Sequence, residues 1–166
     1  DGGGVFPDEE LKLGKNTPIT NAITNDDLIF NYATNYYYSH DITDINNFNL
    51  SDADFSDFKN YLKTNNFTFE TRTEKALSKA FEEAKNEGLN EAINKDYNAL
   101  LSSLNTSKNN ALDKNKDLIM NLLTEEIIKR YAYREGLYDY YKTHDPGIKK
   151  ATEILGNTIT YMDYLR

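Results

Sequence analysis

The chain has 166 residues, with 13 tyrosines, 8 phenylalanines and no cysteine or tryptophan. Its formal net charge of −8 and pI of about 4.8 argue against nucleic-acid binding, which needs a basic surface. The lack of cysteine excludes disulfides, thiolate catalysis and zinc–thiolate sites, and no apolar run approaches the roughly 20 residues of a membrane span. The length fits one domain, and the aromatic content favours a folded one.

Residues 1–16 are the only part of the sequence with strand and turn character. The run Gly2–Gly4 can adopt positive φ, and Pro7 disfavours a helical conformation of the residue before it. Residues 9–13 alternate polar and apolar side chains and predict a short strand. A lone strand cannot satisfy its backbone hydrogen bonds or bury both faces. We therefore interpret 1–16 as the end of a domain whose body precedes it.

From Thr17 onward the apolar residues recur at helical spacing. Thr17 is followed by proline, which is a start signal because a capping hydroxyl precedes Pro at the first helical position. We predict a helix from there to about His40, interrupted or restarted at 25–27. An Asn- and Asp-rich loop should follow as far as Leu50.

The later helices are marked by capping residues and by apolar residues at helical spacing. Their predicted starts are Ser51, Thr71 or Thr73, Glu91, about Asn115, and Asp145-Pro146, with a short final helix after Gly156. Two of them should end at glycines, one at Gly88 and another, which begins near Asn115, at Gly136. The predicted fold class is therefore mainly α: a multi-helix domain over 17–166 preceded by a short strand-like remnant over 1–16.

One pair of residues has the spacing of a Ser-Lys catalytic dyad. Ser56 and Lys59 lie three residues apart in the helix that follows Ser51. That helix should bury Phe55, Phe58 and Leu62, which leaves the pair among acidic residues on the opposite face. Because a solvated lysine keeps its proton, we interpret the pair as a chance occurrence, and no catalytic residue is assigned to this chain.

The sequence also contains an incomplete metal-binding pattern. Residues 113–117 begin like a calcium loop, but Leu118 and Thr124 replace the required Gly and bidentate Glu, so a helix-capping turn is expected. His40 and His144 are far apart in the sequence and are predicted to be loop residues rather than ligands or bases. The sequence predicts neither a metal nor a cofactor.

The first eight residues, DGGGVFPD, resemble a segment of a known family. The bacterial carboxy-terminal processing serine peptidases, also called tail-specific proteases, contain Gly-Gly-Ile/Val-x-Pro-Asp just downstream of the catalytic serine and lysine. The residues that carry this match are Gly2, Gly3, Gly4, Val5, Pro7 and Asp8. In that family the segment closes the peptidase core before the chain enters a C-terminal helical region.

The rest of the sequence is similar to that helical region, in the same order. Residues 28–33 resemble a family stretch written Ile-Phe-Asp-Phe/Tyr-Ala, with Asn31 in place of the Asp. More degenerate matches are Phe48, Ser51-Asp52, Phe55, Phe58, Glu126-Ile127, Arg130-Tyr131, Asp145, Ala151 and Ile154-Leu155. Only the glycine-Pro-Asp segment is specific by itself.

The resemblance implies a non-catalytic helical C-terminal domain of a serine endopeptidase that processes the C-termini of exported proteins. Both residues of the Ser-Lys dyad would precede Asp1, and the location would be the periplasm or cell envelope. The implied partners are the missing peptidase core, protein or peptide substrates of the parent enzyme and a second copy in a homodimer. Packing on the core, subunit pairing and framing of substrate access remain open as roles.

Two alternatives differ in what they require of the structure. A stand-alone α-helical protein-interaction module should tuck in residues 5–13 or leave them disordered, whereas a fragment should show them unpaired, swapped or borrowed by a neighbour. A hydrolase that uses Ser56 and Lys59 would need a buried, neutral Lys59.

Overall fold

The computed structural model of the protein describes residues 4, 7–11 and 14–165. These residues form helices and no strand. The helices are α1 (Pro18–Asn25), α2 (Leu28–Ser39), α3 (Asp52–Thr64), α4 (Arg72–Asn86), α5 (Asn90–Asn109), α6 (Ala111–Lys114), α7 (Lys116–His144), α8 (Pro146–Gly156) and α9 (Thr158–Tyr164). The mainly α prediction is confirmed.

The predicted strand over 9–13 is not observed in the residues that can be described. Glu9 lies in a bend, and Glu10 and Leu11 have no regular structure, while Lys12 and Leu13 lie outside the described residues. An isolated extended segment has no neighbouring strand with which to exchange hydrogen bonds, which is the physical reason that alternation alone did not produce a strand here.

The chain divides into two compact units. Unit A comprises Asn16–Tyr32 and Leu50–Leu123, and unit B comprises Asp1–Lys15, Ala33–Asn49 and Thr124–Arg166. The α2 and α7 helices each contribute to both units.

Unit A buries one face of α3, as predicted. Phe55, Phe58 and Leu62 are all nearly inaccessible to solvent. The ring of Tyr32 from α2 packs edge-on against Phe58 at 5.0 Å and against Tyr61 at 5.4 Å. Edge-to-face aromatic pairs contribute about 0.5–1.5 kcal/mol beyond their buried area. Other buried apolar residues of unit A are Ile19, Ile23, Leu28, Ile29, Ala84, Ile119 and Leu123.

Capping residues start α1, α3 and α4 of unit A where the sequence predicts. Thr17 forms a capping box with Thr20 at the start of α1, and Ser51 forms one with Asp54 at the start of α3. Thr71, and not Thr73, caps α4. The expected interruption at 25–27 is also observed, because α1 ends at Asn25 and α2 begins at Leu28. These caps satisfy backbone N–H groups that have no partner inside the helix.

The bounds of two long helices, those predicted to start at Glu91 and near Asn115, differ from the prediction. The helix expected from Glu91 to about Leu112 is α5 followed by the short α6, separated at Asn110. The helix expected to end at Gly136 instead continues to His144. Gly88 does end α4, with the positive φ of 75° that glycine adopts readily.

Gly136 has a different role from the predicted helix stop. The α7 helix is broken three to four residues earlier, where Ala132 and Tyr133 leave helical φ and ψ. A Cβ atom at Gly136 would lie 2.1 Å from the Cβ of Ala132. The glycine therefore makes room for the break, and the helix resumes through it.

Unit B has its own small core. Ile128, Leu137 and Tyr140 of α7 are buried together, and the partly buried Ile45 and Phe48 of the loop after α2 pack against them. The hydroxyl of Tyr140 donates a hydrogen bond to the carbonyl oxygen of Phe48 at 3.2 Å. The predicted loop over 40–50 is thus held by its apolar residues.

Candidate functional site

An apolar groove of about 500 Å³ lies in unit B between the N-terminal segment and the last two helices. Its lining residues are Pro7, Asp8, Glu9, Ala151, Ile154, Leu155, Tyr161, Tyr164 and Leu165. The groove exists because α8 and α9 pair with each other and the chain near Pro7 crosses beside them. Asp145 starts α8 by accepting a hydrogen bond from the backbone N–H of Ile148 at 2.8 Å.

Polar contacts of Glu9 hold the N-terminal segment at this groove. The hydroxyl of Tyr164 donates a short hydrogen bond to the Glu9 carboxylate, and the ammonium of Lys150 lies 4.0 Å from the same oxygen. The hydrogen bond to Glu9 is the main cause of a raised pKa of Tyr164, with nearby Asp8 and Glu153 adding to it. The rim of the groove is therefore acidic, with Lys150 as a countercharge.

The helices of the groove present apolar side chains to solvent. Leu155 is 66% exposed, Ile159 77% and Leu165 61%, and Met162 is about half exposed. Neither α8 nor α9 contains a buried residue. A cluster of exposed large apolar side chains next to an apolar groove is typical of an interaction surface. We call this set, Leu155, Ile159, Met162 and Leu165 with the groove, the α8–α9 surface.

The residues of the family-like motif fall partly at this surface. Pro7 and Asp8 line the groove. Gly4 is exposed, and a Cβ atom there would meet nothing within 4 Å. Gly2, Gly3 and Val5 lie outside the described residues. The structural role of the motif in a peptidase core stays a prediction.

The Ser56–Lys59 pair is not arranged for catalysis. The Ser56 hydroxyl donates to the backbone oxygen of Asp52 at 3.0 Å, as a serine commonly does inside a helix. The ammonium of Lys59 pairs with the Asp113 carboxylate at 2.8 Å and lies 5.2 Å from the centre of the Phe55 ring. An ammonium held by a carboxylate is a poor general base, so the hydrolase alternative fails.

The prediction of loop positions is right for His40 and wrong for His144. His144 is the last residue of α7, and His40 directly follows α2. Each ring stacks on the tyrosine four residues earlier, at 3.9 Å for Tyr36 and 3.8 Å for Tyr140. The signal that sequence reasoning missed is this repeated Tyr-x-x-Ser/Thr-His spacing, which places both rings on one helix face.

Unit B also contains a charged cluster on α7, centred on Arg130. The guanidinium of Arg130 lies 3.0 Å from the Glu126 carboxylate and also donates to the hydroxyl of Thr34 on α2 at 3.0 Å. Burial tends to raise the pKa of Glu126, but the hydrogen bonds from Lys129 and Arg130 outweigh it and lower that pKa. This cluster ties α7 to α2 and is structural.

No metal centre is formed by the part of the chain that can be described. There, no group of three or more His, Cys, Asp or Glu side chains converges as a metal site would need. Residues 113–117, which begin like a calcium loop, form the junction of α6 and α7, where the side-chain amide of Asn115 donates to the carbonyl of Ala111 at 2.7 Å. In the same described residues, none of the helices has the length and apolar character to cross a membrane.

The fold and its surface define the class of protein to which the chain belongs. The described residues form an all-helical domain with an apolar, acid-rimmed groove, a feature typical of an interaction surface. A family model described as "Probable PDZ-protease, C-terminal helical domain" matches residues 19–155. The chain therefore belongs to this family of helical C-terminal protease domains. No curated protein and no solved structure matches it significantly.

The family assignment decides between the two main sequence hypotheses. It agrees with the resemblance to the C-terminal region of a processing peptidase. Of residues 5–13, only 7–11 can be described, and among these Glu9 contacts α8 and α9, the tucked-in arrangement expected of a stand-alone module. The family match, which covers most of the chain, outweighs this single criterion, because a tucked segment also suits a chain that enters from a preceding domain.

Proposed function

We propose that this chain is the non-catalytic C-terminal domain of a serine endopeptidase that processes the C-termini of exported proteins, and that it docks on the peptidase core. The observation that carries this proposal is the exposed α8–α9 surface. The description of the family, the C-terminal helical domain of a probable PDZ-protease, supports a protease core earlier in the same polypeptide.

The peptidase core is the occupant that best suits the α8–α9 surface. Residues 7–9, which precede the helices in the sequence, line the groove. A preceding core is therefore brought directly beside the exposed Leu155 and Leu165. Covering these side chains would remove apolar area from water, at about 25 cal/mol per Å².

The charges around the groove indicate the chemistry of the facing surface. Asp8, Glu9 and Glu153 lie near Tyr164 at the rim. We expect an apolar patch on the core, flanked by lysine or arginine residues, because complementary charges fix the register of an interface.

The same proposal includes a location in the periplasm or cell envelope, as the family resemblance implies. Subunit pairing in a homodimer and the framing of substrate access are further roles that the α8–α9 surface could serve once the core is docked. Cell fractionation of the parent protease tests the location, and a cytoplasmic protease would overturn that part of the proposal.

A charge placed on the α8–α9 surface tests the docking role. In the intact protease, Leu155→Glu should lower the melting temperature of the protease and its rate of cleaving a peptide substrate, because a buried carboxylate would oppose docking. Leu100→Glu is the matched control, since Leu100 is 53% exposed on α5 in unit A and is not among the residues that line the groove. Equal effects of both substitutions, or of neither, would contradict docking through this surface. The melting temperature of the helical chain alone should be unchanged by Leu155→Glu.

A further inference from the structure

The break in α7 places a tyrosine in a strained backbone conformation. Tyr133 has φ 56° and ψ −159°, in a region that only glycine occupies readily, and Ala132 has φ −135° and ψ 16°. The Tyr133 side chain is 75% exposed, so its own packing does little to offset this strain. Something else in unit B must hold the break.

The apolar pattern of α7 supplies that compensation. Ile128 and Leu137 are nine residues apart, which in a continuous helix would place them on opposite faces, about 180° apart. In the structure both belong to one buried cluster with Tyr140, packed against Phe48. The break thus brings Leu137 and Tyr140 onto the loop at 40–50, and a continuous helix would withdraw them.

Only the broken form requires glycine at position 136. There, any Cβ at position 136 would collide with the Cβ of Ala132 at 2.1 Å. In a continuous helix these two positions are i and i+4 neighbours, about 5–6 Å apart between Cβ atoms, with no such conflict. Burial therefore favours the broken form and Gly136 permits it, whereas the strain at Tyr133 favours the continuous form.

We propose that Ala132–Tyr133 is a hinge at which α7 exchanges between this broken form and a continuous helix. Because α8 and α9 follow α7, straightening would carry the α8–α9 surface away from Phe48 and the loop that contains it. The consequence for docking rests on the proposed function, whereas the hinge itself does not. An intact protease could use the exchange to seat or release its helical domain.

Two substitutions shift this exchange in opposite directions. Gly136→Ala should favour the continuous helix, because the added Cβ atom conflicts with Ala132 in the broken form alone. Tyr133→Gly should favour the broken form, because glycine accepts the backbone angles at that position and weakens a helix. Tyr138→Gly is the matched control: Tyr138 is 60% exposed, and position 138 is helical in both forms.

A distance across the hinge distinguishes the two forms in the helical chain alone. The chain has no cysteine, so Lys129→Cys and Lys142→Cys provide two unique sites for spin labels. In a continuous helix their Cα atoms would be about 20 Å apart. We expect a shorter distance in the broken form, because the break turns the second part of α7 toward the loop at 40–50.

The predicted result is a distance distribution whose longer component grows with Gly136→Ala, shrinks with Tyr133→Gly and is unchanged by Tyr138→Gly. A single distance that neither substitution at the hinge alters would show a fixed break and overturn the proposal. So would a continuous-helix distance that persists in Tyr133→Gly. Neither outcome depends on docking to a core, so failure of the hinge is separate from failure of the proposed function.

Discussion

Glu74 is a buried carboxylate in unit A, at the start of α4. It is only 7% exposed, and its oxygens accept hydrogen bonds from the Lys108 ammonium at 2.7 Å and the Thr71 backbone N–H at 2.6 Å. Burial raises the pKa of Glu74, but these hydrogen bonds and the charge of Lys108 outweigh it, so that its pKa lies below the usual 4.5. The ionised form is therefore the stabilising one.

This pKa shift predicts an acid-dependent loss of stability. A lowered folded-state pKa contributes stability that is present above the unfolded-state value of about 4.5 and is lost as the pH falls through the folded-state pKa. Glu74→Gln should therefore destabilise the chain by about 1 kcal/mol near pH 7, with a smaller difference from the parent at pH 3. Urea unfolding at both pH values measures this difference in the free energy of unfolding.

Glu82→Gln is the control for Glu74→Gln. Glu82 is on the same helix and pairs with Lys85, but its side chain is 68% exposed. Exposed pairs contribute little, so this substitution should be nearly neutral at both pH values. A Glu74→Gln effect that is the same at pH 7 and pH 3 would contradict the assignment of the ionised form.

At the scale of the elements, α3 depends on the burial of one aromatic residue. Phe58 is fully buried and packs edge-on against Tyr32, whereas Phe30 on α2 is 55% exposed. Phe58→Ala should lower the free energy of unfolding by about 3–5 kcal/mol, through lost burial and the cavity left behind. Phe30→Ala should cost less than about 1 kcal/mol. Thermal or urea unfolding followed by circular dichroism measures both, and similar losses would refute this core assignment.

Local signals explain which elements could be predicted from the sequence. Thr17, Ser51 and Asp145 were predictable helix starts, because a cap depends on a hydrogen bond within three residues. Gly136 was misread because a glycine near a helix end is usually a stop. Its actual role depends on the Cβ of Ala132 and on the tertiary cluster around Leu137, which no local pattern specifies.

At the scale of the whole molecule, the candidate site was only partly predictable. The sequence singled out Pro7 and Asp8 and predicted the helices that carry Leu155 and Leu165, each from local patterns. The groove itself arises because distant parts of the chain meet, as in the contact of Glu9 with Tyr164. The spacing of residues within one helix carries no information about contacts between distant parts of the chain. The strand predicted over 9–13 is not formed by the residues that can be described, because alternation of polar and apolar side chains does not by itself provide a partner strand.

The central claim is that the peptidase core covers the α8–α9 surface. Amide hydrogen exchange, compared between the intact protease and the 166-residue helical chain, tests it most directly. We expect amides of α8 and α9 to exchange at least about tenfold more slowly in the intact protease, because docking suppresses their local opening. Amides of α5, which also has no buried residue, should exchange equally in both. Unchanged exchange in α8 and α9, or slower exchange in α5 instead, would contradict the claim.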